Sequence, residues 1–443
     1  MVPDIFTNKE YNKYDKFLML TAFIGGLLPE YIAPFLILFF FPIFKKNWSH
    51  IGRKVVMGKQ GKTFFVFMCF MLSSMVWSKT RIYSAAISLL WMGMFLGYLI
   101  IANSVDTKKK IENILLCLSA SGAGAGLCAV LQMSFLAIDL QKFFPNPIYT
   151  YLNNLIFKIL PFEIQGTYII DRASGTFDNP LILATFLIIV MPLSIFLCFY
   201  ASTKKRKILA TTATVFIFLG ILFTYSRGAA IAVVVSLIML TFLGKKTAIT
   251  MLLVSLVSSG ILPIVIRERR KFDSFIDEST VFRFAIWDTC FESIGKRPIL
   301  GLGAGTENVA AILAEKSIPY PHAHNLFIEM TTELGFVGLI MLLSVFVLIF
   351  IDIFKIFKCG GWWKRISIAY LSMISGFISI SMFEYTLQSP KELMYFMIAL
   401  GLIEATKRVA SKHKETYDAT AISERNKLFN KSKNSKSEKY ILK

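Results

Sequence analysis

The chain is written as a succession of apolar runs, each about as long as a bilayer is thick, with short clusters of lysine and arginine between them. Nothing else in it constrains the fold so tightly. A hydrocarbon core takes roughly 20 apolar residues per helix, and in it each backbone N–H and C=O must be satisfied within the structure. Of 443 residues, 55% are hydrophobic and only 17% charged, with a mean hydropathy of +0.60. That balance excludes an ordinary soluble protein and predicts an all-α, polytopic membrane protein.

The runs predict helices at about 17–28 and 31–44, separated at Leu28-Pro29-Glu30, with one long tilted helix as the alternative. Further spans follow at about 63–78, 82–102, 111–134, 180–201, 207–224, 228–243, 247–266, 325–350, 366–383 and 390–405. In the third of these, Gly122 and Gly126 make a small face suited to close helix packing. About twelve spans result, and charge tests that number. With the N-terminus inside, the basic clusters at 45–62, 108–110, 204–207, 245–246 and 355–365 all fall in the cytoplasm, as does the tail. Both termini are then cytoplasmic. The long loops at 135–179 and 267–324 fall outside, and the second, with eight Lys/Arg and eight Asp/Glu, has no inward bias. The net charge of +20 is thus a topology signal rather than a nucleic-acid footprint.

Four regions follow: N-terminal transmembrane helices over 1–134, an outer loop with a membrane-surface segment over 135–179, a core over 180–405, and a basic tail over 406–443. The tail is rich in Lys, Ser and Asn and is expected to be disordered. Four of the six cysteines lie inside apolar runs and no pair has ligand spacing, so neither a disulfide framework nor a zinc site is indicated. Met1–Lys16 is polar and does not read as a cleavable signal peptide.

The residues able to carry chemistry all fall on the expected outer face. Arg227, in Tyr225-Ser226-Arg227-Gly228, is an isolated charge between apolar spans; it either snorkels at a helix end or binds an anion. Segment 279–295 reads as an amphipathic helix with Phe282, Ile286 and Cys290 on one face and Arg283 and Trp287 on another. Arg283 is a surface residue or a second phosphate-binding cation. Arg267, Arg269, Arg270 and Lys271 read as interfacial. Gly301, Gly303 and Gly305 make either a plain turn or a backbone approach to a ligand, with a helix N-terminus after it at about Thr306. Two of the chain's four histidines sit in His322-Ala323-His324-Asn325, before the next span. A histidine at the mouth of a cavity suits a general base, and Asn325 beside it can orient a sugar or the imidazole. No other outward-facing histidine or paired carboxylate cluster supports a metal on the histidine pair, so no metal is expected. Gly335 and Gly338 are three apart on one helix face and are expected to admit another helix. Arg172, in the polar segment 171–180, and Glu384 and Lys391, in the last outer loop, are weaker candidates.

These pieces, in order, resemble the O-antigen ligase/polymerase family of bacterial membrane glycosyltransferases. The resemblance rests on Ser174-Gly175-Thr176-Phe177 with Asn179-Pro180, on Tyr225-Ser226-Arg227-Gly228, on Arg283 and Trp287 leading to Pro298, Gly301, Gly303 and Gly305, and on His324-Asn325 with Gly335 and Gly338. It implies a GT-C-like membrane fold and, as donor, a glycan on undecaprenyl diphosphate used at the outer face of the cytoplasmic (inner) membrane. Arg227 and Arg283 would match the family's diphosphate-holding cations and His324 its essential histidine. His322, Asn325, Arg172, Trp287, Gly303, Gly335 and Gly338 would support them. The expected reaction is an inverting, metal-independent transfer to an acceptor hydroxyl without cofactor. The partners expected are the lipid-linked glycan, a glycan or lipid acceptor and membrane lipids, with no nucleic acid. Ligation is the first reading; polymerisation of O-antigen, capsule or other surface repeat units is the alternative. From another class, a polysaccharide or lipid-linked sugar transporter also fits twelve spans. Against it, the helices carry almost no internal charge and no repeat of the first half in the second.

Overall fold

The computed structural model describes residues 13–28, 30, 32–50, 55–137, 172–244 and 278–441. Among them are thirteen α-helices and no strand. They are α1 (Lys13–Ile24), α2 (Ala33–His50), α3 (Lys59–Ser73), α4 (Arg81–Ser104), α5 (Lys108–Ala137), α6 (Pro180–Tyr200), α7 (Lys204–Phe223), α8 (Arg227–Leu240), α9 (Glu278–Lys296), α10 (Thr306–Glu315), α11 (Leu326–Phe357), α12 (Gly361–Ser381) and α13 (Pro390–Ile441). Five of the described helices (α4, α5, α6, α7 and α11) are long and apolar enough to cross a membrane, and α8 with the short turn after it is a shorter apolar helix. The first apolar region is two helices, since α1 stops at Ile24 and α2 starts at Ala33. The expected span at 247–266, residues 138–171 of the first loop, and Arg267, Arg269, Arg270 and Lys271 lie outside the described residues.

α6 is the axis of the bundle. It starts cleanly because the Asn179 side chain accepts the Leu181 N–H at 2.8 Å and Pro180 follows. It has no polar face, and it packs against α5, α7, α8, α12 and α13. Helices meet without a hydrophobic drive between them in lipid, so close van der Waals fit and small polar contacts hold them. Gly126 of α5 is such a place: a Cβ there would stand 2.2 Å from the Phe216 carbonyl oxygen of α7. Between α8 and α12 the hydroxyls of Ser236 and Ser372 lie 2.8 Å apart, and Ser372 also donates to the Ser236 carbonyl at 2.6 Å.

Two expectations are corrected. The tail is not irregular: α13 continues through Ile441, and residues 407–441 contain no Gly or Pro to break it. Nor are the helices nearly free of internal charge. Glu329, Glu333, Lys391 and Glu392 lie in the opening turns of α11 and α13 and are each at most 1% exposed. Lys391 and Glu333 find partners far along the chain, in Leu28 and Thr176 and in Gly305, whereas Glu329 is met by the nearby Ala323 N–H.

One such partner set closes an end of the bundle. The Lys391 ammonium donates to the Leu28 carbonyl at 2.8 Å and the Thr176 carbonyl at 2.9 Å, and lies 3.6 Å from the Phe177 ring centroid. Thr176 donates to the Gly26 carbonyl at 2.6 Å, and Glu30 accepts the Asp178 N–H at 2.9 Å. The α1–α2 turn, the segment before α6 and the start of α13 are thus tied together.

Candidate active site

The same end of the bundle carries the sequence-predicted residues. α9 is seated by a small apolar core apart from the main one. Ile286 and Cys290 pack there with Val309 and Leu313 of α10, Ile318 and Ala323, and Phe282 lies at the edge. The amphipathic reading of 279–295 therefore holds, and it turns Arg283 and Trp287 toward the histidine segment. The Trp287 indole N–H donates to the Ala323 carbonyl at 2.8 Å.

Asn325 caps α11. Its side-chain oxygen accepts the N–H groups of Phe327 and Ile328 at 2.9 and 3.1 Å. Its amide nitrogen donates to the Met382 carbonyl at 3.0 Å. In the structure this amide is a cap and a tether. The tether draws the 382–387 turn against the histidines. The start of α8 closes it from the other side, since a Cβ on Gly228 would meet the Phe383 Cβ at 2.8 Å.

His324 has φ 50, a left-handed backbone that costs a residue with a Cβ about 1–3 kcal/mol. The neighbours hold it there. Ala323 donates its N–H to the Glu329 carboxylate, and the His324 N–H donates to Nδ1 of His322 at 3.3 Å. On the turn opposite, Glu384 stands 3.2 and 3.3 Å from His324 Nδ1 through its two oxygens. One of those oxygens also accepts from Arg283 Nη2 at 3.2 Å. A single carboxylate, 7% exposed, thus joins the arginine of α9 to the histidine before α11. Burial pushes the Glu384 carboxyl up, but His324, by charge and hydrogen bond, and the Arg283 guanidinium outweigh it and hold it below the ordinary value. Burial, with His324 beside it, pushes His322 down to about 3, so this imidazole is neutral. Its Nδ1, already accepting an N–H, carries no proton. The two imidazole rings are 4.2 Å apart, with Tyr320 5.5 Å from His324 and Tyr385 5.9 Å from His322.

His322, His324 and Glu384 each bring one ligand atom to within 4.8 Å of the others. Glu384, 60 residues away, is the one carboxylate that joins the histidine pair in this grouping, and no second histidine or paired carboxylate accompanies it among the described residues. The Arg283 guanidinium on the same carboxylate competes with any cation there.

The glycine-rich stretch turns out to be a clasp. Leu302 and Gly303 donate to the carbonyls of Thr332 and Glu333, Ala304 to the Ser74 hydroxyl, and Gly305 to the Glu333 carboxylate at 2.7 Å. With these amides engaged, the ligand-approach reading gives way to the plain turn. The expected helix partner of Gly335 and Gly338 is also corrected. Gly335 breaks α11, at φ 65 and ψ −171, and the clasp crosses there, with Phe336 donating to the Pro298 carbonyl at 2.8 Å. A Cβ on Gly338 would meet Leu334 of its own helix.

Arg227 opens α8, whose cap is Ser226 accepting the Ala229 N–H at 3.2 Å. Arg172 donates from Nε to the Thr224 carbonyl at 2.7 Å, and Ala173 N–H to the Phe223 carbonyl at 3.0 Å, so the 172–179 segment is laid along the α7–α8 turn. Arg283, Trp287, His322, His324 and Asn325 are brought together around Glu384. Arg172 is bonded to the adjoining α7–α8 turn and Arg227 follows it, while in the clasp Gly303 donates to Glu333 and Gly335 lies against Ile299 and Leu300. Glu384 was visible in the sequence only as one carboxylate in a short loop between two spans, and Glu329 and Glu333 only as acids inside an apolar run.

Residues 212–343 match a family model described as O-antigen ligase. The comparison with curated proteins gave no match. The matched stretch holds Arg227, Arg283, His322, His324, Gly335 and Gly338, and supports the O-antigen ligase/polymerase family. Arg172 and Glu384 lie outside it.

Proposed function

Starting from the O-antigen ligase-like stretch at 212–343, we propose that the protein is a membrane glycosyltransferase acting on a glycan carried by undecaprenyl diphosphate. The observation that carries this reading is Arg283 and His324 meeting on one buried carboxylate, a cation and a base at one mouth of an all-helical bundle. In the reaction, an unprotonated His324 nitrogen takes the proton of an acceptor hydroxyl. The hydroxyl oxygen attacks the anomeric carbon, and the bond from that carbon to the diphosphate oxygen breaks with its electron pair on oxygen. The centre is inverted, and the proton rests on the imidazole. Arg283 and Arg227 bear the charge that develops on the leaving diphosphate, and preorganised guanidinium groups can do this without a metal. Arg172 and Trp287 hold the surrounding segments.

The chain crosses the inner membrane about twelve times with both ends in the cytoplasm, and the site faces outward, where lysine and arginine are sparse. The core at 180–405 carries the chemistry. Ligation of a finished glycan to a lipid acceptor is preferred over polymerisation, on the His324-Asn325, Gly335 and Gly338 pattern.

Replacement His324→Ala in a strain that displays the glycan tests the reading, with products resolved on a gel and protein level controlled. Transfer is expected to disappear. Unligated long polymer identifies a ligase, single repeats identify a polymerase, and an unchanged product removes His324 from the chemistry.

A further inference from the structure

We propose that Glu384 is a positioning residue that couples donor binding to the strength of the base. Free of substrate, it divides its charge between Arg283 and His324. When Arg283 turns to the donor diphosphate, the whole carboxylate is left to the imidazole. The inference rests on the glycosyltransferase reading and adds to it a residue outside the matched family stretch.

The geometry carries the argument. Glu384 reaches His324 Nδ1 at 3.2 Å and Arg283 Nη2 at 3.2 Å, and its carboxylate is walled in, while the arginine side chain is 30% exposed. Arg283 is therefore the partner with room to move. A carboxylate on Nδ1 fixes that nitrogen as the N–H donor, which leaves Nε2 with the lone pair that accepts a proton. A diphosphate offers Arg283 more charge and a better fit to its planar fork than one shared carboxylate oxygen does. Once the arginine shifts, a positive charge no longer offsets the carboxylate, and the protonated imidazole formed in the reaction is favoured. The base gains strength only when the leaving group is in place, which guards the site against idle proton transfer.

The other charged and titratable groups near this pair leave the coupling to Glu384. His322 faces His324 from the same segment but is neutral, with Nδ1 taken by an N–H. Tyr320 and Tyr385 contribute rings. Glu329, on α11, is bound to the Ala323 N–H.

The test uses the full chain in lipid nanodiscs with lipid-linked glycan extracted from the same host. Glu384→Gln is expected to lower kcat about 10- to 100-fold with KM little changed. It should also move the acidic limb of the rate profile to lower pH, since the negative charge favouring the imidazolium is gone. Glu384→Asp, which keeps the charge, should recover most of the rate and restore the limb. With only four histidines in the chain, 15N-histidine spectra can follow His324 directly. Inorganic pyrophosphate, as a diphosphate probe, should raise the pH at which His324 titrates by more in the unmodified protein and in Glu384→Asp than in Glu384→Gln, where only the probe's own charge and the displaced arginine act. Equal rates and an unmoved limb in Glu384→Gln overturn the role. A pyrophosphate response of His324 no larger in the unmodified protein than in Glu384→Gln overturns the coupling. Loss of transfer on chelation, restored by zinc, overturns both by making Glu384 a metal ligand. His324→Ala is run alongside: if it transfers normally, the glycosyltransferase assignment of His324 fails instead, and the two failures are told apart.

Discussion

At the scale of single residues, the site is built by charge placed where water is scarce. His322 shows the consequence for pH. Its imidazole is pushed down to about 3, first by burial and then by His324, with Glu384 opposing and Arg283 adding. An unfolded histidine titrates near 6.5. Between those values the unfolded chain binds the extra proton and the folded chain does not. Stability from this group is therefore complete above about pH 6.5 and is lost as pH falls toward 3. Glu384, held below the carboxylate value, acts in the same direction at the acid end of that window. Thermal melting across pH should show the folded protein weakening through this range, and His322→Asn should flatten the slope between pH 6 and 4. A slope unchanged by His322→Asn would place the acid sensitivity elsewhere.

At the scale of elements, the clasp between residues 298–305 and the break in α11 sets the height of the histidine segment. Gly335 has φ 65 and ψ −171, a region essentially reserved for glycine, and its Cβ position lies 2.2 Å from the Ile299 carbonyl oxygen. Gly335→Ala should cost more than the ~1–3 kcal/mol of backbone strain alone. A melting point lower by several degrees and reduced transfer are expected. Gly295→Ala in α9, where a Cβ meets nothing within 4 Å, should be neutral or stabilise by up to ~1 kcal/mol. A Gly335→Ala protein as stable as the Gly295→Ala control would remove the clasp from the argument. Helices were legible because a bilayer forces long apolar runs, and the face Phe282-Ile286-Cys290 was legible because it obeys local spacing. The break was not. A glycine at 335 inside an apolar run looks like a helix-packing surface until the Pro298–Leu300 strand of backbone is laid across it. Glu384 was legible only as a weak candidate, since its meeting with His324 spans two helices and a turn and leaves no spacing to read. The tail misled because lysine-rich sequence without Gly or Pro serves a helix as readily as a disordered chain.

For the whole molecule, the charge pattern and the described bundle lead to one further expectation. Topology reporters placed in the 267–324 loop should read outside, and reporters after Lys207 and at the C-terminus should read inside. A C-terminal reporter on the outer side would break the twelve-span arrangement. Lys391 adds something that a list of spans does not contain. It ties the α1–α2 turn and the segment before α6 to the start of the last helix, while Glu384 comes from the turn just before it. A ribosome that has finished residue 343 has already made both proposed cations and the histidine, yet neither the carboxylate between them nor the lysine seam exists. The reactive mouth is therefore a property of the completed chain alone, and a nascent or truncated copy in the membrane holds every predicted catalytic group without the arrangement that would let them act.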